Sequence, residues 1–120
     1  MKWFVLVLGV LLNASASILI KVSSMPPRKL PSFTTPVSSW VGNWPLWVGV
    51  MTYGLAFLVY VHALSLFPAT VAHPVITAGA IAIVATVAGL ALGESLSALT
   101  IAGILVVMGG VLMIAFGSLR

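Results

Sequence analysis

Residues 69–92 read ATVAHPVITAGAIAIVATVAGLAL, and after a polar break at Gly93-Glu94-Ser95, residues 98–116 read ALTIAGILVVMGGVLMIAF. Neither run contains a Lys, Arg, Asp or Glu. At about 1.5 Å of rise per residue, helices of this length cross a hydrocarbon core of about 30 Å. Working outward, Pro68 separates the first of these runs from an earlier apolar stretch over about residues 46–67, and a further one covers about residues 3–22. In lipid every backbone polar group must find a partner within its own segment, so such runs are helices. The sequence therefore predicts an all-α membrane protein, one domain over residues 1–120, with transmembrane helices at about 3–22, 46–67, 69–92 and 98–117. A polar, Pro-rich loop over 23–44 is the only sizeable segment outside the bilayer. The remaining connections are very short, so neighbouring helices are expected to be antiparallel and closely packed.

Composition points the same way. Hydrophobic residues make up 62% of the chain and charged residues 5%, whereas a soluble domain carries roughly 25% charged residues. Five Lys/Arg against one acid give a formal net charge of +4 but no clustered basic stripe, which argues against a nucleic-acid partner. With no cysteine, disulfides and thiolate metal sites are excluded. No nucleophile–His–acid set, metal-ligand cluster or phosphate-cradling Gly loop is present, so neither an enzyme nor a cofactor or metal is expected.

The N-terminus has a second reading. Lys2, the apolar residues 3–12 and Ala14-Ser15-Ala16 fit a cleavable signal peptide. Against it, the apolar run resumes at Ile18-Leu19-Ile20, which favours a retained span. Asn13-Ala14-Ser15 matches a glycosylation sequon but lies inside that span. Trp40, Trp44 and Trp47 cluster where the loop meets the second span, the usual position of an interfacial aromatic belt. Lys2 and Arg120 fall on one side of the membrane and Lys21, Arg28 and Lys29 on the other, a slight bias toward a cytoplasmic first loop.

Polar groups inside lipid are expensive and default to functional candidates. Asn13, Ser17 and Lys21 are four apart and form one stripe on the first helix. Tyr60 and His62 lie in the second span, and His73 and Thr77 in the third. Ser17 and Thr77 are each expected to bond back to their own helix; Lys21 either snorkels to headgroups or serves the stripe. His62 is expected near its helix end, at the interface. His73 precedes Pro74, which frees a backbone carbonyl one turn earlier. Glu94, the one acid, reads as a cap of the fourth helix or a solvated turn. Ala78, Ala82, Ala85, Gly89 and Gly93 form a small-residue face, and Gly103, Gly109 and Gly110 another. Such faces support close helix packing in membranes, and one of them is expected to meet a second subunit.

Several of these stretches together resemble a known family. The first span ends Ile18-Leu19-Ile20-Lys21-Val22-Ser23 and the second ends Ala63-Leu64-Ser65-Leu66-Phe67-Pro68, like the family's A-L-x-x-I-P. Ala72-His73-Pro74 stands where relatives read A-Y-A, and residues 103–111 (GILVVMGGV) are similar to a G-x-L-x-I-x-x-G-V dimerisation motif. The pattern resembles the small multidrug resistance proteins of the drug/metabolite transporter superfamily over nearly the whole chain except the Pro-rich loop. Asn13 takes the position of the exporters' first-helix glutamate, and His73 that of a substrate-contacting tyrosine. With A-x-P at Ala72-His73-Pro74, the pattern looks more like the aminoarabinose-lipid flippase subunits of the same superfamily. The resemblance implies a multi-pass protein of a bacterial inner membrane, acting as a homodimer or as a heterodimer with a paralogue. It further implies movement of an amphipathic, polyprenyl-phosphate-linked sugar across the membrane. Substrate contacts are then expected from Asn13, Ser17, Lys21, Tyr60, His73 and Thr77, and a dimer interface at Gly103, Gly109 and Gly110. Two other readings stay open: a proton-coupled exporter of hydrophobic cations, and a non-transporting accessory subunit of a membrane complex.

Overall fold

A computed structural model describes residues 2–25 and 41–118. Its long helices are α1 (Lys2–Ser24), α2 (Trp44–Leu66), α3 (Ala69–Leu90) and α4 (Ala98–Ser118), each 21 to 23 residues long and long and apolar enough to span a membrane. The ends differ slightly from the apolar runs, for local reasons. Past Lys21, α1 continues because Ser23 Oγ donates to the Ile20 carbonyl at 2.6 Å and Ser24 Oγ to the Lys21 carbonyl at 2.7 Å, satisfying acceptors that a helix end leaves open. The helix also runs unbroken through Ala14-Ser15-Ala16. At the start of α2, Pro45 in the first turn has no N–H to lose. Phe67 closes α2 in an extended conformation, as a residue preceding proline prefers, and the Pro68 carbonyl then accepts the first N–H groups of α3.

The third span stops earlier than its apolar run suggests. Gly93 has φ +72°, and across it the Glu94 N–H reaches back to the Ala88 carbonyl at 3.0 Å. A left-handed φ of this kind carries little penalty only for a residue without Cβ. The fourth helix is capped by Ser97, whose Oγ accepts the Thr100 N–H at 3.1 Å. Glu94 is therefore not the cap expected of it.

Cross-helix contacts give the topology. Trp3 stacks on Phe67 with ring centroids 4.9 Å apart, and Lys2 Nζ lies 5.1 Å from the same ring, so α1 begins where α2 ends. At its other end, the Ser23 carbonyl accepts a hydrogen bond from Asn43 Nδ2 at 3.1 Å beside the start of α2. Helices α1 and α2 thus run antiparallel. Helix α1 also packs along α3, and in the same direction, since Gly9 faces Ile76 and Val10 faces Gly79. The expectation that helices joined by a short connection pack closely holds for α3 and α4 and is corrected for α2 and α3. Helices α2 and α3 share little contact, and α1 lies against both. A two-residue connection sets direction, but the small side chains of α1 and α3 decide which axes come close.

The core lies near the end bearing Lys2 and Phe67, where Leu6, Ala63, Phe67, Val71, Ala72 and Ile76 are buried together. On α3 the inward residues are Ala72, Ile76, Ala78, Ala80 and Ala88, while Ala82 and Ala85 are half-buried. The small-residue face expected from Ala78 to Gly93 is thus only partly the packing face, and Gly93 belongs to the turn. Gly79, outside that pattern, makes the closest approach: a Cβ there would sit 2.7 Å from Val10 Cγ2.

Helix α4 packs against α3 and has no buried residue. Leu105, Val106, Met113 and Phe116 on α4, with Phe57 and Leu58 on α2, are exposed. Apolar surface this continuous is not tolerated in water; here its solvent is the lipid tail. The chain is a multi-pass α-helical membrane protein.

Replacing Gly79 by Leu is expected to destabilise the fold by about 1–3 kcal/mol through overpacking against Val10. Gly103→Ala, in the interior of α4 where a Cβ meets nothing within 4 Å, should stabilise the isolated chain by about 0.5–1 kcal/mol through helix propensity. Denaturant unfolding in neutral micelles checks both, and equal tolerance at the two positions would remove the α1–α3 contact.

Candidate functional site

Polar residues from three helices line two neighbouring grooves. The first, about 220 Å³, lies between α1, α2 and α3 and is lined by Gly9, Asn13, Tyr53, Phe57, Tyr60, His73 and Thr77, among others. The second, about 550 Å³, lies between α1, α3 and α4. Asn13, Ser17 and Thr77 line one wall of it, Ala80, Ala85, Ala88 and Ile104 another, and Glu94 its end. Asn13 and Thr77 border both grooves, so a track of polar residues runs from one groove to the other.

The track follows from helix periodicity. Asn13, Ser17 and Lys21 recur every four residues and stay on one face of α1. Tyr53, Phe57 and Tyr60 do the same on α2, and His73 and Thr77 on α3. The Tyr60 and His73 rings meet edge to face, with centroids 5.7 Å apart, across the sparse α2–α3 contact. Ser17 Oγ donates to the Asn13 carbonyl at 3.0 Å, the back-bond expected of it, and lies 2.6 Å from Tyr53 Oη. With the single Ser17 proton committed to that carbonyl, the Tyr53 hydroxyl is the donor in the second bond. Its oxygen keeps acceptor capacity toward the first groove.

The track ends on an ion pair. Lys21 Nζ is 3.3 Å from Glu94 Oε1, with the two side chains 50% and 45% exposed. Glu94 is thus the solvated turn acid that was the second expectation for it, and the Gly93 turn carries it back toward α1, onto the next step of the Asn13–Ser17 stripe. Lys21 pairs with this carboxylate while staying half exposed at the end of α1.

All six residues selected from sequence as substrate contacts (Asn13, Ser17, Lys21, Tyr60, His73 and Thr77) lie along this track or at its end. His62 does not; it is exposed, and its carbonyl accepts the Ser65 hydroxyl at 2.6 Å. Two participants were missed. Tyr53 was visible in principle, since it shares the i, i+4, i+7 spacing of Phe57 and Tyr60. The pairing of Glu94 with Lys21 has no sequence signal, because the residues are far apart in the chain. Gly103, Gly109 and Gly110 border open space, where an added Cβ would meet nothing within 4 Å. Trp44 and Trp47 are exposed at the start of α2, while Trp40, Arg28 and Lys29 lie outside the described residues.

Four bilayer-length helices with polar residues in the grooves among them define the class of protein: a multi-pass α-helical membrane protein. Comparison with protein-family models, curated proteins and solved structures finds no match to this chain.

Tyr53→Phe removes one hydroxyl and is expected to cost about 0.5–1.5 kcal/mol, the usual net value of such a hydrogen bond. Unfolding in micelles, compared with Ser17→Ala and the double variant, checks it. Additive losses would show that Tyr53 and Ser17 are not coupled.

Proposed function

We propose that the chain is a small membrane transporter of the drug/metabolite transporter type, flipping an amphipathic substrate of the polyprenyl-phosphate-linked sugar class between leaflets. The observation that carries this reading is the line of polar residues along the two grooves that share Asn13 and Thr77. It offers hydroxyl, amide and imidazole groups at membrane depth beside a long apolar wall. A polar headgroup crossing hydrocarbon needs such partners at every step, because leaving them unmade is costly. The hydrocarbon tail needs only lipid or apolar side chains. Asn13, Ser17, Tyr60, His73 and Thr77 are assigned to the sugar and Lys21 to the phosphate.

One chain has too few helices to enclose such a path, so the transporting unit is a dimer, of identical chains or of paralogues. Gly103, Gly109 and Gly110 on the lipid-facing α4 are assigned to its interface, where small residues let helix axes approach. A second reading, export of hydrophobic cations coupled to protons, gains support from Glu94, a carboxylate at the end of the larger groove although it belongs to no span.

In vesicles reconstituted with the full chain, a fluorescent polyprenyl-phosphate sugar is expected to become accessible to an external quencher, and Lys21→Gln to abolish this. Unchanged flipping would remove Lys21 from the mechanism. Survival of expressing cells on quaternary ammonium compounds, with loss in Glu94→Gln, would favour the cation reading instead.

A further inference from the structure

We propose that the groove between α1, α2 and α3 binds a membrane-dissolved quinone, an uncharged flat ring with carbonyl acceptors, which enters sideways from the lipid between α2 and α3. Three observations carry it. Four polar side chains from three helices line this groove with their hydrogen-bonding capacity unused: among the described residues, the Asn13 amide, the Tyr60 and Thr77 hydroxyls and the His73 ring make no hydrogen bond. Thr52 and Thr86 bond the carbonyls of Val48 and Ala82 on their own helices, but the equivalent bond expected of Thr77 is not made. The groove also lies at membrane depth, with Asn13 midway along α1 and Thr77 about 12 Å into α3. And it opens to the side: α2 and α3 share little contact, and Tyr53, Phe57, His73 and Thr77 are exposed.

The chemistry of the walls selects the ligand. Among the described residues no Lys, Arg, Asp or Glu lines this groove, so an ionised head would enter hydrocarbon without an opposite charge. The ligand is therefore uncharged. The amide, both hydroxyls and the imidazole can all donate, which suits a head that offers acceptors. Tyr53, Phe57 and Tyr60 follow one face of α2 and give one wall three aromatic rings, against which a flat ring packs offset or edge-on. The volume of about 220 Å³ falls below the roughly 300–1,000 Å³ of sites for drug-sized molecules, so it holds a single ring while a tail stays in the lipid. The route of entry separates a quinone from a hydroxyl-rich head. Hydroxyl donors are costly to carry through hydrocarbon, and such a head must travel along the bundle from water. A quinone carries only acceptors and is already dissolved at the depth of Asn13 and Thr77. The inference is one of binding and does not rest on the transport reading.

The experiment uses the full chain, labelled with nitrogen-15 histidine, in phosphatidylcholine nanodiscs. The chain has two histidines: His73 lines the groove, and His62 is exposed outside it. Titration with decylubiquinone is expected to shift the His73 imidazole signals saturably and to leave those of His62 in place. Thr77→Val keeps the shape and removes the hydroxyl; it should raise the Kd about fivefold, within the range of one neutral hydrogen bond. Thr86→Val, whose lost hydroxyl bonds its own helix, should leave the Kd unchanged. Decylbenzene, which has a ring and no carbonyl, and decyltrimethylammonium should both bind more weakly than the quinone. The proposal is overturned if neither histidine responds, or if both shift together as for a solute merely dissolved in the bilayer. It is equally overturned if Thr77→Val and Thr86→Val behave alike, or if decylbenzene, decyltrimethylammonium or decyl glucoside matches the quinone. Unmoved His62 signals in each variant show that the fold is kept. The outcomes stay separable from transport: quinone binding without flipping of the polyprenyl-phosphate sugar sinks the transport reading alone, and flipping without quinone binding sinks this inference alone.

Discussion

In hydrocarbon, a polar group without a partner is more costly than almost any packing defect, and this constraint orders the whole molecule. Backbone groups are satisfied by helix formation. Side-chain groups have fewer options: they bond to their own helix, reach another polar side chain, or extend to the membrane surface. Ser17 uses the first two at once, donating to the Asn13 carbonyl and lying 2.6 Å from Tyr53 Oη. Thr52 and Thr86 use the first, each bonding a carbonyl four residues earlier. Lys21 and Glu94 combine the second and third, pairing where both remain half exposed.

The same constraint explains why α1 is central. It bears the polar stripe, so the elements able to partner that stripe gather around it. Tyr53 and Tyr60 approach from α2, His73 and Thr77 from α3, and Glu94 from the turn before α4. Close approach is made feasible by small residues: Gly9 against Ile76 and Gly79 against Val10 bring α1 and α3 together. Helix α4 carries no such obligation. Its residues are apolar or small, its surface is lipid-facing, and its glycines border open space.

This asymmetry makes sense of the proposed function. Three helices and one turn supply the polar residues, while the fourth helix is apolar and exposed. An apolar core at the Lys2–Phe67 end, with Leu6, Phe67, Val71 and Ile76 buried, contrasts with the other end of α1, where Lys21 and Glu94 pair while half exposed.

Much of this was legible in the residues themselves. Four apolar runs of bilayer length define four helices because lipid permits little else, and a four-residue spacing places Asn13, Ser17 and Lys21 on one face whatever lies opposite. Proline and serine set the helix ends within two residues or so. What the chain could not reveal was which face of each helix meets which. That depends on the depth and rotation at which Gly79 seats on Val10, and on the left-handed turn at Gly93 that swings Glu94 back to Lys21. Periodicity is a property of one helix and can be read along it; a contact between Lys21 and Glu94, 3.3 Å apart in space and far apart in sequence, exists only once packing has chosen among many orientations of nearly equal hydrophobicity.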